Sequence, residues 1–147
     1  MSRTREVAYH DRSFLDSDDE WLPPKIERQM NLLQRTKKSG VVCCVCNARM
    51  LFSSGTISSF QAARLQPEQA EGVWTNPAEI LVDRFLFFNQ AAAIRREALD
   101  RAGYFREDLR IMEDYDLSLR VALMGPWAFI AEPLVTWHED AGSSLSR

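Results

Sequence analysis

The sequence predicts an α/β fold, because short apolar runs typical of strands are interleaved with segments of helical spacing. The chain has 147 residues, which is enough for one domain with a single hydrophobic core. Hydrophobic residues make up 46% of the chain and charged residues 27%, a composition typical of folded rather than disordered proteins.

The first third of the chain is predicted to hold a leader, a strand, a helix and a second strand. Residues 1–12 are polar and without periodicity, so we interpret them as a loose leader, and we place the domain in residues 13–147. An apolar strand from Ser13 ends in an acidic turn at residues 16–20. The helix that follows has prolines in its first turn, where a missing N–H costs little. Its inward stripe is Ile26, Met30 and Leu33, and Gly40 separates it from the strand 41–46.

The rest of the chain alternates loops, short helices and strands. Residues 52–77 are rich in Ser, Gln, Gly and Pro, which predicts a hairpin tip or a long loop. Gly103 is a candidate left-handed C-cap. The remaining predicted elements are a helix at 78–88, a strand at 91–94, a helix at 97–102, a helix from residue 113 to about 124, and strands at 127–130 and 134–137.

Charge, hydropathy and cysteine content exclude several classes of function. The net charge of −3 and the pI near 5.4 argue against a nucleic-acid-binding protein with a broad basic face. No apolar run approaches the roughly 20 residues of a membrane-spanning helix, and no secretory signal is recognisable. Cys43, Cys44 and Cys46 are predicted to be buried thiols, because no second ligand pair for zinc stands at a suitable spacing. We therefore expect a cytoplasmic protein.

Asp16, Asp18 and Asp19 form an acidic cluster at the end of the first predicted strand. Such a cluster repels itself unless a cation or hydrogen-bond donors neutralise it. Its oxygen ligands suit Mg²⁺ or Mn²⁺, and capping of the following helix is the alternative role. An EF-hand loop is a poor match, since Trp21 occupies the position that requires Gly. A phosphate-transferring aspartate of the haloacid-dehalogenase type lacks its usual companions.

A second acidic group begins the helix at residue 113. Asp114 lies at the edge of the apolar stripe near the helix N-terminus, where a carboxylate can act as a general base. Capping of the helix is the alternative for this residue and for Asp116, while Glu113 is a candidate for orienting its neighbours. His138 follows the last predicted strand and is a candidate third metal ligand, although a lone histidine is more often structural.

Four segments in order resemble the GT-A-type enzymes of glycosyltransferase family 2. Residues 14–29 (FLDSDDEWLPPKIERQ) are similar to the metal-binding segment and the helix after it, and residues 113–120 (EDYDLSLR) to the segment that holds the catalytic base. Residues 93–105 (AIRREALDRAGYF) resemble the stretch before that helix, and residues 132–138 (EPLVTWH) the closing strand with its histidine. The resemblance covers residues 13–147.

The resemblance implies a metal-dependent, inverting transfer of a sugar from a nucleotide-sugar to an acceptor hydroxyl, with a saccharide or a lipid-linked molecule as acceptor. Asp18, Asp19 and His138 would bind the donor through Mn²⁺ or Mg²⁺, with Asp16 shaping the turn. Asp114 would be the base, supported by Glu113. The location implied is cytoplasmic or peripheral at the inner membrane surface.

Residues 1–12 match nothing in the nucleotide-binding, Rossmann-like half with which members of that family begin. We therefore expect a partial GT-A fold, a mixed sheet with flanking helices that lacks those first strands. Three hypotheses remain open: an enzyme, a non-catalytic remnant or binding module of the same fold, and a chain completed by a separate protein that supplies the missing half. The donor sugar and the acceptor are not readable from these motifs.

Overall fold

The computed structural model describes residues 2–6, 12–16 and 19–139, with side chains for Ser13 and for residues 19–139. The described chain is an α/β fold in which helices flank one mixed sheet. The strands are β1 (Ser2–Glu6), β2 (Arg12–Asp16), β3 (Glu20–Trp21), β4 (Cys43–Phe52), β5 (Gly55–Ser58), β6 (Glu71–Trp74), β7 (Ala92–Ile94) and β8 (Trp127–His138). The helices are α1 (Lys25–Arg35), α2 (Ser59–Ala62), α3 (Pro77–Asp83), α4 (Arg96–Ala102) and α5 (Glu113–Ala122), with a 3₁₀ turn at Lys37–Ser39.

The sheet is built around the long strands β4 and β8, which run parallel to each other. Its order in the described residues is β1-β2-β7-β4-β8-β3, and every other pairing is antiparallel. The second half of β4 pairs with β5, and the first half of β8 pairs with β6. The carboxyl ends of β4 and β8 therefore lie at the same end of the sheet.

Residues 43–48, the first part of the central strand β4, are buried on both faces. Cys43, Cys44 and Cys46 are fully buried and form no disulfide with one another, which confirms their expected role as small core residues. Burial raises the pKa of Cys46 to about 11, so this thiol is protonated at neutral pH. Neighbouring side chains of a strand point to opposite faces, and here both faces are covered. Cys43 is therefore as deeply buried as Cys44 and Cys46, which point to the other face.

Helix α1 begins at Lys25, so the prolines expected in its first turn come before it, and Met30 and Leu33 of its apolar stripe are buried. Two polar residues beside that stripe, Lys25 and Gln29, are buried as well. Since they stand four residues apart, their side chains lie on one face of the helix and meet there. The inward face of α1 is therefore partly polar, and the apolar pattern alone did not show this.

A buried ammonium group lies beneath α1. Lys25 Nζ donates to Ser13 Oγ at 3.0 Å and to Gln29 Oε1 at 2.8 Å, and it lies 4.1 Å from the centroid of the Trp21 ring. Ser13 Oγ in turn donates to the carbonyl of Ala92 at 2.6 Å. Burial lowers the pKa of Lys25 to about 8, although the nearby thiols of β4 act in the opposite direction. The lysine connects β2, β3, α1 and β7.

The prediction of an irregular leader is wrong for part of residues 1–12. Ser2–Glu6 forms strand β1, which pairs with β2 from Ser2 opposite Asp16 to Glu6 opposite Arg12. Strand pairing is made by backbone hydrogen bonds, so a polar segment without apolar alternation can still form an edge strand. The domain boundary between residues 12 and 13 stays a prediction.

The predicted hairpin tip near Ser53 is confirmed, since β4 and β5 pair directly on either side of it. The long loop expected over residues 52–77 also contains α2 and β6, and the two predicted closing strands are one strand, β8. A register shift at Asn47 allows β8 to continue past Pro133. Asn47 satisfies the backbone there, because Nδ2 donates to the carbonyl of Ala131 at 3.0 Å and Oδ1 accepts from the Phe60 amide at 2.9 Å.

We expect the substitution Lys25→Met to change how stability depends on pH. The pKa of Lys25 falls from 10.5 to about 8 on folding, so between these values the unfolded chain binds the extra proton. The stability of the wild type should therefore rise, relative to Lys25→Met, as the pH increases from 8 to 10.5. The gain should approach about 3 kcal/mol, at ~1.4 kcal/mol for each pKa unit. Urea unfolding across this range measures it, and parallel pH profiles would contradict the prediction.

Candidate functional site

Asp19 is a buried carboxylate held by a distant side chain. It directly precedes β3, and its Oδ2 accepts a hydrogen bond of 2.8 Å from Gln90 Nε2. Gln90 is itself buried, and its carbonyl accepts a bond of 3.0 Å from Trp21 Nε1. Two bonds from one residue therefore set both the position of β3 and the orientation of the Asp19 carboxylate.

His138, at the end of β8, and Asp19, just before β3, lie at the same end of the sheet. His138 is the last residue of β8 and stands opposite Leu51 of β4. Strand β3 pairs antiparallel with β8, with Glu20 opposite Thr136. Going back from Glu20 along the chain and going forward from Thr136 lead in the same direction, so Asp19 and His138 approach one end of the sheet. The fold thus brings together two residues that the sequence assigned to the donor.

The remaining acidic residues of the predicted metal site are described only in part. Asp16 is the last residue of β2, with only its backbone described, and Asp18 lies outside the described residues. Among the side chains of Ser13 and residues 19–139, no group of three His, Cys, Asp or Glu could hold a metal ion. Asp19 and His138 fit a divalent ion as a carboxylate and an imidazole, but a complete ligand set needs Asp16 or Asp18 as well.

Asp114 lies in the first turn of α5, next to Tyr115. The Tyr115 amide donates to Asp114 Oδ1 at 2.9 Å, which orients the carboxylate at the helix N-terminus. Met112, the residue before the helix, has a left-handed backbone with φ of 62°, and this conformation turns the chain into α5. Burial raises the pKa of Asp114 above its ordinary value, and the neighbouring Glu113 carboxylate acts in the same direction. Both effects raise the proton affinity of this carboxylate, as the role of a general base requires.

The other carboxylate of this turn has a different environment. Asp116 Oδ2 accepts two hydrogen bonds from Arg120, at 2.8 and 3.1 Å, which is the ion pair expected from their spacing. Arg120 also donates to the carbonyl of Tyr104 at 2.6 Å and to the carbonyl of Ala102. Asp116 therefore anchors α5 to the end of α4, and this structural role distinguishes it from Asp114.

One stretch of chain contacts all three parts of the candidate site, and we call residues 85–90 the bridging segment. Phe85 stacks on Tyr115, beside Asp114, with ring centroids 6.4 Å apart. Phe87 meets Trp137, beside His138, edge to face at 6.4 Å. Gln90 holds Asp19. The bridging segment therefore connects the residue that binds Asp19 to the residues next to His138 and Asp114.

The bridging segment was partly misassigned from the sequence. A helix was predicted to reach residue 88, but α3 ends at Asp83 and the chain continues in an extended conformation. Apolar residues in a run of this length do not distinguish a helix from an extended buried segment. Gln90 was missed as a site residue because it carries no motif of its own and its partner is 71 positions away.

Comparison with known proteins finds similarity to a glycosyltransferase. No protein-family model matches the chain. The chain is similar to the amylovoran biosynthesis glycosyltransferase AmsB of Erwinia amylovora, with 27% identity over 130 residues. The aligned region covers 85% of this chain and 40% of AmsB, so the chain spans about two fifths of that relative's length. The mixed sheet with flanking helices is compatible with a glycosyltransferase-like fold. None of the helices in the described ranges is long and apolar enough to cross a membrane.

We expect the substitution Asp114→Asn to leave the fold intact and to remove a pH-dependent loss of folding stability. The folded-state pKa of Asp114 is raised, so the folded protein binds the proton more tightly, and wild-type stability falls as the pH rises through that pKa. Asn keeps the oxygen that accepts from Tyr115 but carries no charge. The variant should therefore be at least as stable as the wild type at pH 7, with the difference shrinking toward pH 3.8, as measured by urea unfolding. A large loss of stability at pH 7 would show that the charged carboxylate stabilises the fold.

Proposed function

We propose that this chain carries the metal-binding and acceptor-binding portion of an inverting glycosyltransferase with a GT-A-type fold of family 2. The donor would be a nucleotide-sugar, and the acceptor a hydroxyl of a saccharide or of a lipid-linked molecule. The similarity to AmsB supports sugar transfer. The family, the metal dependence and the stereochemistry are inferred from the four sequence segments and from the arrangement of the site.

The bridging segment is the observation that carries this proposal. Gln90 of this segment binds the Asp19 carboxylate, and its aromatic residues contact Trp137 and Tyr115, the neighbours of His138 and Asp114 in the sequence. A metal-dependent sugar transfer needs two functions at a short distance: one group of ligands for the donor's diphosphate and one base for the acceptor. Asp19 with His138 fits the first function, and Asp114 fits the second.

On the donor side, Asp19 and His138 would bind a Mn²⁺ or Mg²⁺ ion together with Asp16 or Asp18. A divalent ion supplies positive charge that stabilises the diphosphate as it leaves. Gln90 holds the Asp19 carboxylate in one orientation through its bond to Oδ2, as the outer partners of metal ligands commonly do. Burial excludes water from this carboxylate and so strengthens its interaction with a cation.

On the acceptor side, Asp114 would accept the proton of the attacking hydroxyl. The acceptor oxygen then forms a bond to the anomeric carbon from the face opposite the diphosphate, and the bond between that carbon and the diphosphate oxygen breaks. Because its pKa is raised, Asp114 is a stronger base than an exposed aspartate. The amide of Tyr115 orients the carboxylate, and Glu113 contributes through its charge.

A binding module of the same fold without turnover is the second candidate function, because the alignment covers only 40% of AmsB. A partner protein that completes the nucleotide site, and a cytoplasmic or peripheral membrane location, stay predictions. Metal and nucleotide binding without sugar transfer would favour the binding module.

We predict that Mn²⁺ with one nucleoside diphosphate raises the melting temperature of the chain and that Asp19→Ala abolishes this effect. A ligand that binds only the folded state stabilises it by about 2.7 kcal/mol at a hundredfold excess over its Kd. Thermal unfolding with a panel of nucleoside diphosphates measures the shift and indicates the class of donor. Asp83→Ala is the matched control, since Asp83 is an exposed carboxylate at the end of α3. Equal Mn²⁺ affinity in the wild type and in Asp19→Ala would eliminate the role of Asp19.

We predict that Asp114→Asn slows sugar transfer by about 10²- to 10⁴-fold, the usual contribution of a general base. Donor binding should be unchanged, because Asp114 lies on the acceptor side. The measurement is single-turnover transfer in a preparation active with the wild-type chain, with donor affinity determined in parallel. Glu97→Gln, at an exposed carboxylate in the first turn of α4, is the control and should retain turnover. Normal turnover in Asp114→Asn would rule out Asp114 as the base.

A further inference from the structure

A single buried ammonium contacts the chain on both sides of the acidic residues 16–19. On one side, Lys25 Nζ donates to Ser13 Oγ at 3.0 Å, and Ser13 belongs to β2, which ends at Asp16. On the other side, Lys25 Nζ lies 4.1 Å from the ring centroid of Trp21 in β3. Lys25 therefore holds the strands that enter and leave this acidic segment.

The same ammonium is fixed from the interior of the protein. Gln29 Oε1 accepts from Lys25 Nζ at 2.8 Å, and Gln29 Nε2 donates to the carbonyls of Cys44 and Ala91 at 3.1 and 2.8 Å. These carbonyls belong to β4 and to the residue before β7. Through Gln29, the ammonium is thus held in a fixed position relative to the central strands of the sheet.

A continuous set of contacts connects Lys25 to the Asp19 carboxylate. Trp21, whose ring lies beside the ammonium, donates from Nε1 to the carbonyl of Gln90 at 3.0 Å. Gln90 Nε2 donates to Asp19 Oδ2 at 2.8 Å. The Trp21 ring and the Asp19 carboxylate are therefore both hydrogen-bonded to Gln90.

We propose that Lys25 is a positioning residue for the metal site: it holds β2 and β3 in place, and with them the Asp19 carboxylate, before a cation binds. This inference rests on the proposed function, because it concerns the same site. A buried charge costs free energy unless it is fully hydrogen-bonded, and a methionine of similar volume would fill the same space. The charge is therefore not needed for packing, and the lowered pKa of Lys25 shows that burial disfavours it.

The experiment compares Lys25→Met and Ser13→Ala with the wild type in two measurements. The first is amide hydrogen exchange of residues 14–21 without metal, and the second is Mn²⁺ affinity. We expect both variants to stay folded, to exchange at least tenfold faster in residues 14–21 only, and to bind Mn²⁺ at least tenfold more weakly, the size of effect typical of residues behind metal ligands. Lys38→Met, at an exposed lysine, is the control and should change neither quantity.

The two measurements separate this proposal from the proposed function. If the wild type binds no Mn²⁺ but residues 14–21 exchange faster in both variants, the metal site is wrong and the positioning by Lys25 is upheld. If exchange in residues 14–21 is unchanged in Ser13→Ala and in a folded Lys25→Met, the positioning role is overturned. Unfolding of Lys25→Met would show that the charge is needed for the fold itself, and a Ser13→Ala variant with wild-type exchange would then overturn the proposal.

Discussion

The buried ammonium of Lys25 is the interaction on which the arrangement of the candidate site depends. An ionised group in a protein interior is tolerated only when hydrogen bonds replace the water it has lost. Ser13 and Gln29 provide that replacement, and the Trp21 ring adds a favourable contact with the cation. These partners come from different elements, so satisfying one charge joins β2, β3 and α1 to the sheet. Apolar packing of the same segments would not define their mutual position as narrowly.

The bridging segment extends this arrangement from the sheet to α5. The Gln90 carbonyl of this segment accepts a hydrogen bond from Trp21, and its aromatic side chains contact residues beside Asp114 and His138. Helix α3 ends immediately before it, and the Tyr115 hydroxyl donates to the carbonyl of Leu81 in that helix at 2.7 Å. The position of α5 relative to the sheet end is therefore determined by contacts on both sides of residue 84. A site made of residues from β3, β8 and α5 can keep one geometry because a single connection contacts all three.

The sequence predicted best those features that depend on local patterns. The left-handed conformation of Gly103 and the burial of the cysteines follow from backbone and solvation preferences, and both are confirmed. It failed where distant partners decide the outcome. Gln90 meets Asp19 across 71 positions, and β8 continues past Pro133 only because Asn47 satisfies the shifted register. The buried pair of Lys25 and Gln29 had a visible signal, two polar residues four apart beside an apolar stripe, which indicates a buried polar contact when the helix packs on a sheet.

Two carboxylates in the first turn of α5, Asp114 and Asp116, differ in their contacts and in the roles that these contacts allow. Asp116 pairs with Arg120, and Arg120 reaches the carbonyls that end α4, so this carboxylate fixes the orientation of the helix. Asp114 is two residues earlier and points to a different side of the helix, where burial raises its pKa. A base must be both accessible to its substrate's proton and held in one orientation. Because Asp116 anchors the helix, Asp114 can remain a carboxylate of raised proton affinity with a fixed direction, and the acidic pair is better explained by this division of roles than by capping alone.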